Sequence, residues 1–252
     1  MKRKNGNPRP TFLITFLASG YLMKLLSEFI HEFGHGILVI IFGGRILEIF
    51  ISPFWPLQLS WIRWSLPANI GDPELSIIYA GGIILCLTVS FSLQIFLILN
   101  RFSWFPSLPL AWLGFWCFLN GTGYLILGGL APFGDIKKLI GFGCLTQLSS
   151  LTLGLGIFTA GFIMLSKILF NIFSELFSPE ASRLAVSFFW MQIPIYCVFI
   201  LGLRTNFNFM AACPRPLFYE LINRGLNQLS SFLLGYTPII LLLSLAQAIN
   251  IS

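Results

Sequence analysis

Apolar residues in this chain run on in long unbroken stretches, and the polar residues gather between them, which is neither strand alternation nor the one-sided stripe of a soluble helix. Crossing a bilayer takes about 20 apolar residues per helix. Six segments reach that length, at about 18–43, 75–99, 108–130, 148–173, 183–203 and 230–250. The widest intervals, about 44–74 and 204–229, are too short to fold as separate domains. The pattern therefore predicts an all-α polytopic membrane protein, with residues 1–252 forming one integral, multi-pass domain in the lipid bilayer. Between the first two segments, Arg45 to Ile51 and Gln58 to Trp64 read as strands separated by Pro53 and Pro56, a small membrane-edge β-hairpin. Near 216–229, Leu217, Phe218, Leu221 and Ile222 fall to one side and Glu220, Asn223, Arg224 and Asn227 elsewhere, as in an interfacial helix.

Composition agrees with the pattern. With 56% hydrophobic and 10% charged residues, and a mean hydropathy of +0.86, an ordinary soluble domain is excluded. The net charge of +6 comes partly from Lys2, Arg3, Lys4 and Arg9, ahead of the first apolar stretch. Basic residues there are orientation signals, and no interleaved aromatic patch suggests nucleic acid. Ala18-Ser19-Gly20 resembles a signal-peptide cleavage site, but the apolar stretch continues to Phe42. Basic residues fall on both sides of six simple spans, a conflict that a short re-entrant segment over 11–20 would remove. Five scattered cysteines offer neither a disulfide framework nor a CxxC metal pair.

The candidate chemistry lies in the first apolar segment. Its His31-Glu32-Phe33-Gly34-His35 string holds the only two histidines of the chain. On a helix, positions i and i+4 share a face, so both imidazoles can reach one metal ion, with Glu32 placed as base toward a water there. Ionisable groups in hydrocarbon are expensive and mark a site by default. Lys24, Glu28 and His35 all fall within about 60° of His31 on a helical wheel, a polar stripe facing the bundle interior. Glu28 reads either as hydrogen-bond partner of a histidine ring or as an i,i+4 ion pair with Lys24. A catalytic Zn2+ usually takes three protein ligands, and with two histidines the third must be a carboxylate. Asp135 is favoured, because Gly128-Gly129-Leu130-Ala131-Pro132-Phe133-Gly134 before it cannot continue a helix, and broken backbone at membrane depth is tolerated where it lines a cavity. Asp72 shares the same membrane face and competes, although Gly71-Asp72-Pro73-Glu74 reads more naturally as a helix cap.

The chain resembles the site-2 proteases, intramembrane zinc metalloproteases of the M50 class, through His31-Glu32-Phe33-Gly34-His35-Gly36, Phe42-Gly43-Gly44, Ala80-Gly81-Gly82, and Asn120 followed by Pro132-Phe133-Gly134-Asp135. The resemblance covers about residues 20–140. It implies a metalloprotease core over about 18–143, with additional transmembrane helices over about 144–252. It further implies His31, His35 and Asp135 as zinc ligands, Glu32 as general base and Asn120 as a substrate-binding residue. The substrate would be a transmembrane protein held in extended form beside the hairpin. No PDZ-like insertion is present, so a separate adaptor would select substrates. A non-catalytic helix-binding or chaperone relative is the alternative. A transporter fits less well, since the later spans hold almost no ionisable group beyond Lys167.

Overall fold

The structure, a computed structural model, describes residues 9–53, 60–100 and 102–191. Among them are six helices and one two-stranded sheet: α1 (Arg9–Ile41), β1 (Arg45–Phe50), β2 (Trp61–Ser65), α2 (Asp72–Leu99), α3 (Trp104–Leu130), α4 (Gly134–Gly141), α5 (Gln147–Ser174) and α6 (Pro179–Trp190). Four are long and apolar enough to cross a membrane: α1 from Thr11, α2, α3 and α5. These match the first four expected segments. The fifth, expected over 183–203, overlaps α6 at its start and otherwise lies outside the described residues, as do the sixth and the amphipathic stretch near 216–229. The chain divides after Leu176. Beyond that point the described structure is α6, entered through Ser178, whose hydroxyl accepts the Ala181 N–H at 3.3 Å.

Helix α1 begins well before residue 18, and residues 11–20 continue it rather than forming a re-entrant segment. Its end is set by Phe42-Gly43-Gly44. Gly43 takes φ +77°, and the Gly43 and Gly44 N–H groups return to the carbonyls of Ile40 and Val39 at 3.0 and 2.8 Å. That paired closure of a helix end needs a residue tolerant of left-handed backbone. Helix α2 starts where Glu74 Oε2 accepts the Gly71 N–H at 3.1 Å, and α3 stops at Leu130 ahead of Pro132, which cannot continue it. Thr146 caps α5 through Ser149, with hydroxyl-to-amide contacts in both directions at 2.8 and 3.0 Å.

Helix α3 is the most buried of the four long helices and packs against α1, α2 and α5. Its Trp112, Phe115, Trp116 and Phe118 fill the centre of the bundle, and Trp116 Nε1 donates to the Gly20 carbonyl of α1 at 2.8 Å. Strands β1 and β2 pair antiparallel, from Arg45 opposite Ser65 to Phe50 opposite Trp61, with a bulge between Ile46 and Glu48. The sheet is thus shorter than the expected strands and lies where the hairpin was expected. Ile46 and Ile62 lean on α1 at Gly36.

Helices α1 and α2 approach backbone to backbone. A Cβ at Gly34 would stand 2.5 Å from the Gly81 carbonyl oxygen, and one at Gly81 would stand 2.6 Å from that of Gly34. Small residues at a crossing permit this approach. Replacing Gly34 by Leu must force the helices apart, at a cost of about 1–3 kcal/mol or more from overpacking. Thermal unfolding in detergent should show a lower Tm for Gly34→Leu than for an exposed control such as Ile84→Leu.

Candidate metal centre

His31 and His35 lie one turn apart on the buried face of α1, 4% and 2% exposed. The break after α3 brings Asp135 to them: Gly134 at φ +44° turns the chain into α4, and Asp135 is its second residue. Asp135 Oδ2 is 3.1 Å from His31 Nε2 and 3.4 Å from His35 Nε2, and the two nitrogens are 3.3 Å apart. Ligand atoms on a tetrahedral zinc with bonds of about 2.0–2.1 Å stand about 3.3 Å from one another. The three atoms therefore already have the spacing of one face of such a site.

Hydrogen bonding fixes which atoms face inward. His35 Nδ1 donates to the Ile78 carbonyl at 2.7 Å, so the neutral ring presents the lone pair of Nε2 to the group. On the far side of His31, Nδ1 is 4.0 Å from Cys86 Sγ, a thiol that donates to the Ser27 carbonyl at 3.8 Å. Two imidazole nitrogens and a carboxylate oxygen converge there in a buried place, a donor set that a metal ion can satisfy. Burial opposes the charge on Asp135, but the two neighbouring histidines outweigh it and hold its carboxyl well below the usual carboxylate range. His31, His35 and Asp135 form a buried group that could hold a metal ion.

Around this group the packing is aromatic and tight. Tyr124 stacks on His31 with centroids 4.8 Å apart at 24°, and Trp64 of β2 lies 6.0 Å from His35. Gly82 of α2 faces the histidines so closely that a Cβ there would stand 2.6 Å from His35 Nε2 and 2.9 Å from His31 Cε1. Glu32 is buried, 7% exposed, and its carboxyl interacts electrostatically with His31, His35 and Asp135.

Asp72, the competing carboxylate, is not in the group. It opens α2, where its carbonyl accepts the Ser76 hydroxyl at 2.7 Å. Glu28 does not bond a histidine ring in this arrangement; its Oε1 pairs with Lys24 Nζ at 2.7 Å, the i,i+4 alternative. Asn120 lies against the same stripe, donating through Nδ2 to Glu28 Oε1 at 3.2 Å and Ser27 Oγ at 3.3 Å. It stands one turn of α1 away from the histidines. Sequence reasoning missed Tyr124, Cys86 and the Ile78 carbonyl, for which no spacing signal exists. It did single out Gly81-Gly82, without the reason that Gly82 leaves room for His35.

Comparison with protein-family models, curated proteins and solved structures finds no match. The reading of the site therefore rests on its own geometry.

Two outcomes are expected from elemental mass spectrometry of purified protein. Asp135→Ala should lose a metal that Asp72→Ala retains. Gly82→Ala, whose Cβ would also stand 2.8 Å from the His31 carbonyl oxygen, should lower the Tm and bind the metal about tenfold or more weakly, since even about 1.4 kcal/mol of overpacking there is a factor of about ten.

Proposed function

We propose that the chain is an integral, multi-pass membrane protein and a zinc-dependent intramembrane metalloendopeptidase of the site-2 protease kind. The observation that carries this reading is the triangle of His31 Nε2, His35 Nε2 and Asp135 Oδ2, with edges of 3.1–3.4 Å, built within a bundle of apolar helices and beside the buried Glu32. Two nitrogens and one carboxylate oxygen suit zinc, and three protein ligands leave a position for water or substrate, as in catalytic rather than structural sites. The outward faces of the long helices support the membrane setting, with Ile84 57%, Ile163 56% and Leu148 70% exposed. Exposed apolar side chains of this size along these helices suit lipid better than water.

Zinc bound there would acidify a water and polarise a peptide carbonyl. The chain's own groups supply the rest. Asp135 and the histidines fix the position of the reacting centre, with the Ile78 carbonyl holding the His35 tautomer. Glu32 takes the proton of the attacking water and delivers it to the leaving amine, so one carboxyl serves as base and then as acid. The bundle walls, with Tyr124 over His31, limit access of bulk water.

A transmembrane substrate hides its peptide bonds in helical hydrogen bonds and must be unwound before cleavage. Strand β2 places Trp64 against His35, and its outer edge has no strand partner among the described residues. An unwound segment can add to that edge by backbone hydrogen bonding, which delivers an extended chain to the metal. In this reading Asn120 acts from the neighbouring turn, through Glu28 and the α1 face, and its contact with substrate stays a proposal drawn from the family resemblance.

Glu32→Gln keeps the size of the side chain and removes its basicity. It should retain about one zinc per chain and lose cleavage of a reconstituted transmembrane substrate by at least about a hundredfold, the lower range of general-base effects. Zinc retention with unchanged cleavage would remove Glu32 from the mechanism. Zinc binding with no cleavage by the wild type of any helical substrate would favour the non-catalytic, helix-binding alternative.

A further inference from the structure

A second polar site occurs at the other end of the bundle. The end of α2, the start of α3 and the end of α5 enclose a cavity of about 380 Å³, with Asn100, Ser107, Lys167, Asn171 and Glu175 among its lining residues. Ile78, which holds His35, and Ile98, on the wall of this cavity, are separated by about 30 Å of helix at 1.5 Å per residue. That is about the thickness of the hydrocarbon core. If α2 spans the bilayer, the metal centre lies toward one interface and the cavity at the other.

Lys167, Asn171 and Glu175 succeed one another at i, i+4 and i+8, a polar stripe along the end of α5 and its C-cap residue. Lys167 is the single charged residue within that helix and makes no ion pair among the described residues. Glu175 is fixed differently, with Oε2 accepting the Trp104 N–H at 2.9 Å across to the start of α3. Among the described residues, the cavity thus presents one cation, one anchored carboxylate, two amides and a hydroxyl, next to the exposed apolar residues Ile98 and Phe102.

We propose that this cavity binds the headgroup of an ethanolamine phospholipid, the phosphate toward Lys167 and the ammonium toward Glu175. The charge pattern separates this headgroup from its neighbours. A glycerol headgroup brings the anion and neutral hydroxyls but no cation for Glu175, so its hydrogen bonds there lack the charge assistance of an ammonium, and a choline headgroup has no N–H to donate to a carboxylate or to the amide oxygens. Apolar side chains at the rim continue into the lipid phase, where the acyl chains lie. The inference rests on the membrane-spanning part of the function proposed above and is independent of its catalytic part.

The test is native mass spectrometry of the full chain, extracted from membranes, delipidated, and offered ethanolamine, choline and glycerol phospholipids or inorganic phosphate alone. The wild type should retain the ethanolamine lipid at least tenfold better than the other two and should not retain phosphate. Lys167→Gln should abolish retention. Glu175→Gln, which keeps an acceptor for the Trp104 N–H, should retain lipid but no longer prefer ethanolamine over glycerol. Equal retention of all three lipids, a pattern unchanged in both variants, or phosphate binding as well as lipid would overturn the proposal. Recovery of the chain in the soluble fraction would overturn the spanning reading along with it, whereas membrane-extracted protein indifferent to headgroup overturns this proposal alone. Zinc content measured on the same preparations reports separately on the metal centre.

Discussion

Three polar atoms, His31 Nε2, His35 Nε2 and Asp135 Oδ2, meet in a buried place, and the rest of the bundle is arranged so that they can. Such a convergence is satisfied by a proton shared between imidazole and carboxylate or by a metal ion that takes all three atoms as ligands. It requires α1 to present two successive turns to one point, α2 to come close enough for the Ile78 carbonyl to hold His35, and the chain to break after α3 so that a carboxylate can turn inward. Gly34, Gly81 and Gly82 satisfy the second requirement and Pro132-Phe133-Gly134 the third.

The polar stripe on α1 extends this arrangement into the bundle. Lys24 and Glu28 form a pair whose side chains are only 8% and 10% exposed, and Asn120 and Ser27 complete it from α3 and α1. A buried pair adds little net stability over an apolar replacement, but breaking it is costly. Its consequence here is orientation: α1 cannot rotate against α3 without stranding a charge. The same constraint keeps His31 and His35 aimed at Asp135. Helix α3, buried through Trp112, Phe115, Trp116 and Phe118, is the post against which this registration is held.

Some of this was legible in the residue order and some was not. The HExxH string placed two imidazoles on one helical face, and the run of Gly and Pro before Asp135 marked a break in α3. Both are local effects of helix geometry and backbone sterics, and both appear where expected. The start of α1 was misjudged because Thr11 to Ala18 reads equally as a separate apolar piece, and only continuous packing shows it to be one helix with residues 19–41. Glu28 had two readings by spacing alone, because Lys24 and His31 are both within one turn or so of it. In the structure Glu28 pairs with Lys24, and His31 turns its Nε2 to Asp135.

The sequence by itself determined the apolar helices, the membrane-length segments, the two histidines with Glu32 between them, and the hairpin between the first two helices. These depend on composition and on the 3.6 and 2 residue periods, which act over a few turns. Only the tertiary structure brought Asp135 and not Asp72 beside the histidines, set Gly82 against His35, stacked Tyr124 on His31 and gathered Lys167, Asn171 and Glu175 with Asn100 and Ser107 around one cavity. Those contacts join residues tens of positions apart, and no local period encodes which helices touch or at what rotation; the packing of α1, α2 and α5 around α3 decides both.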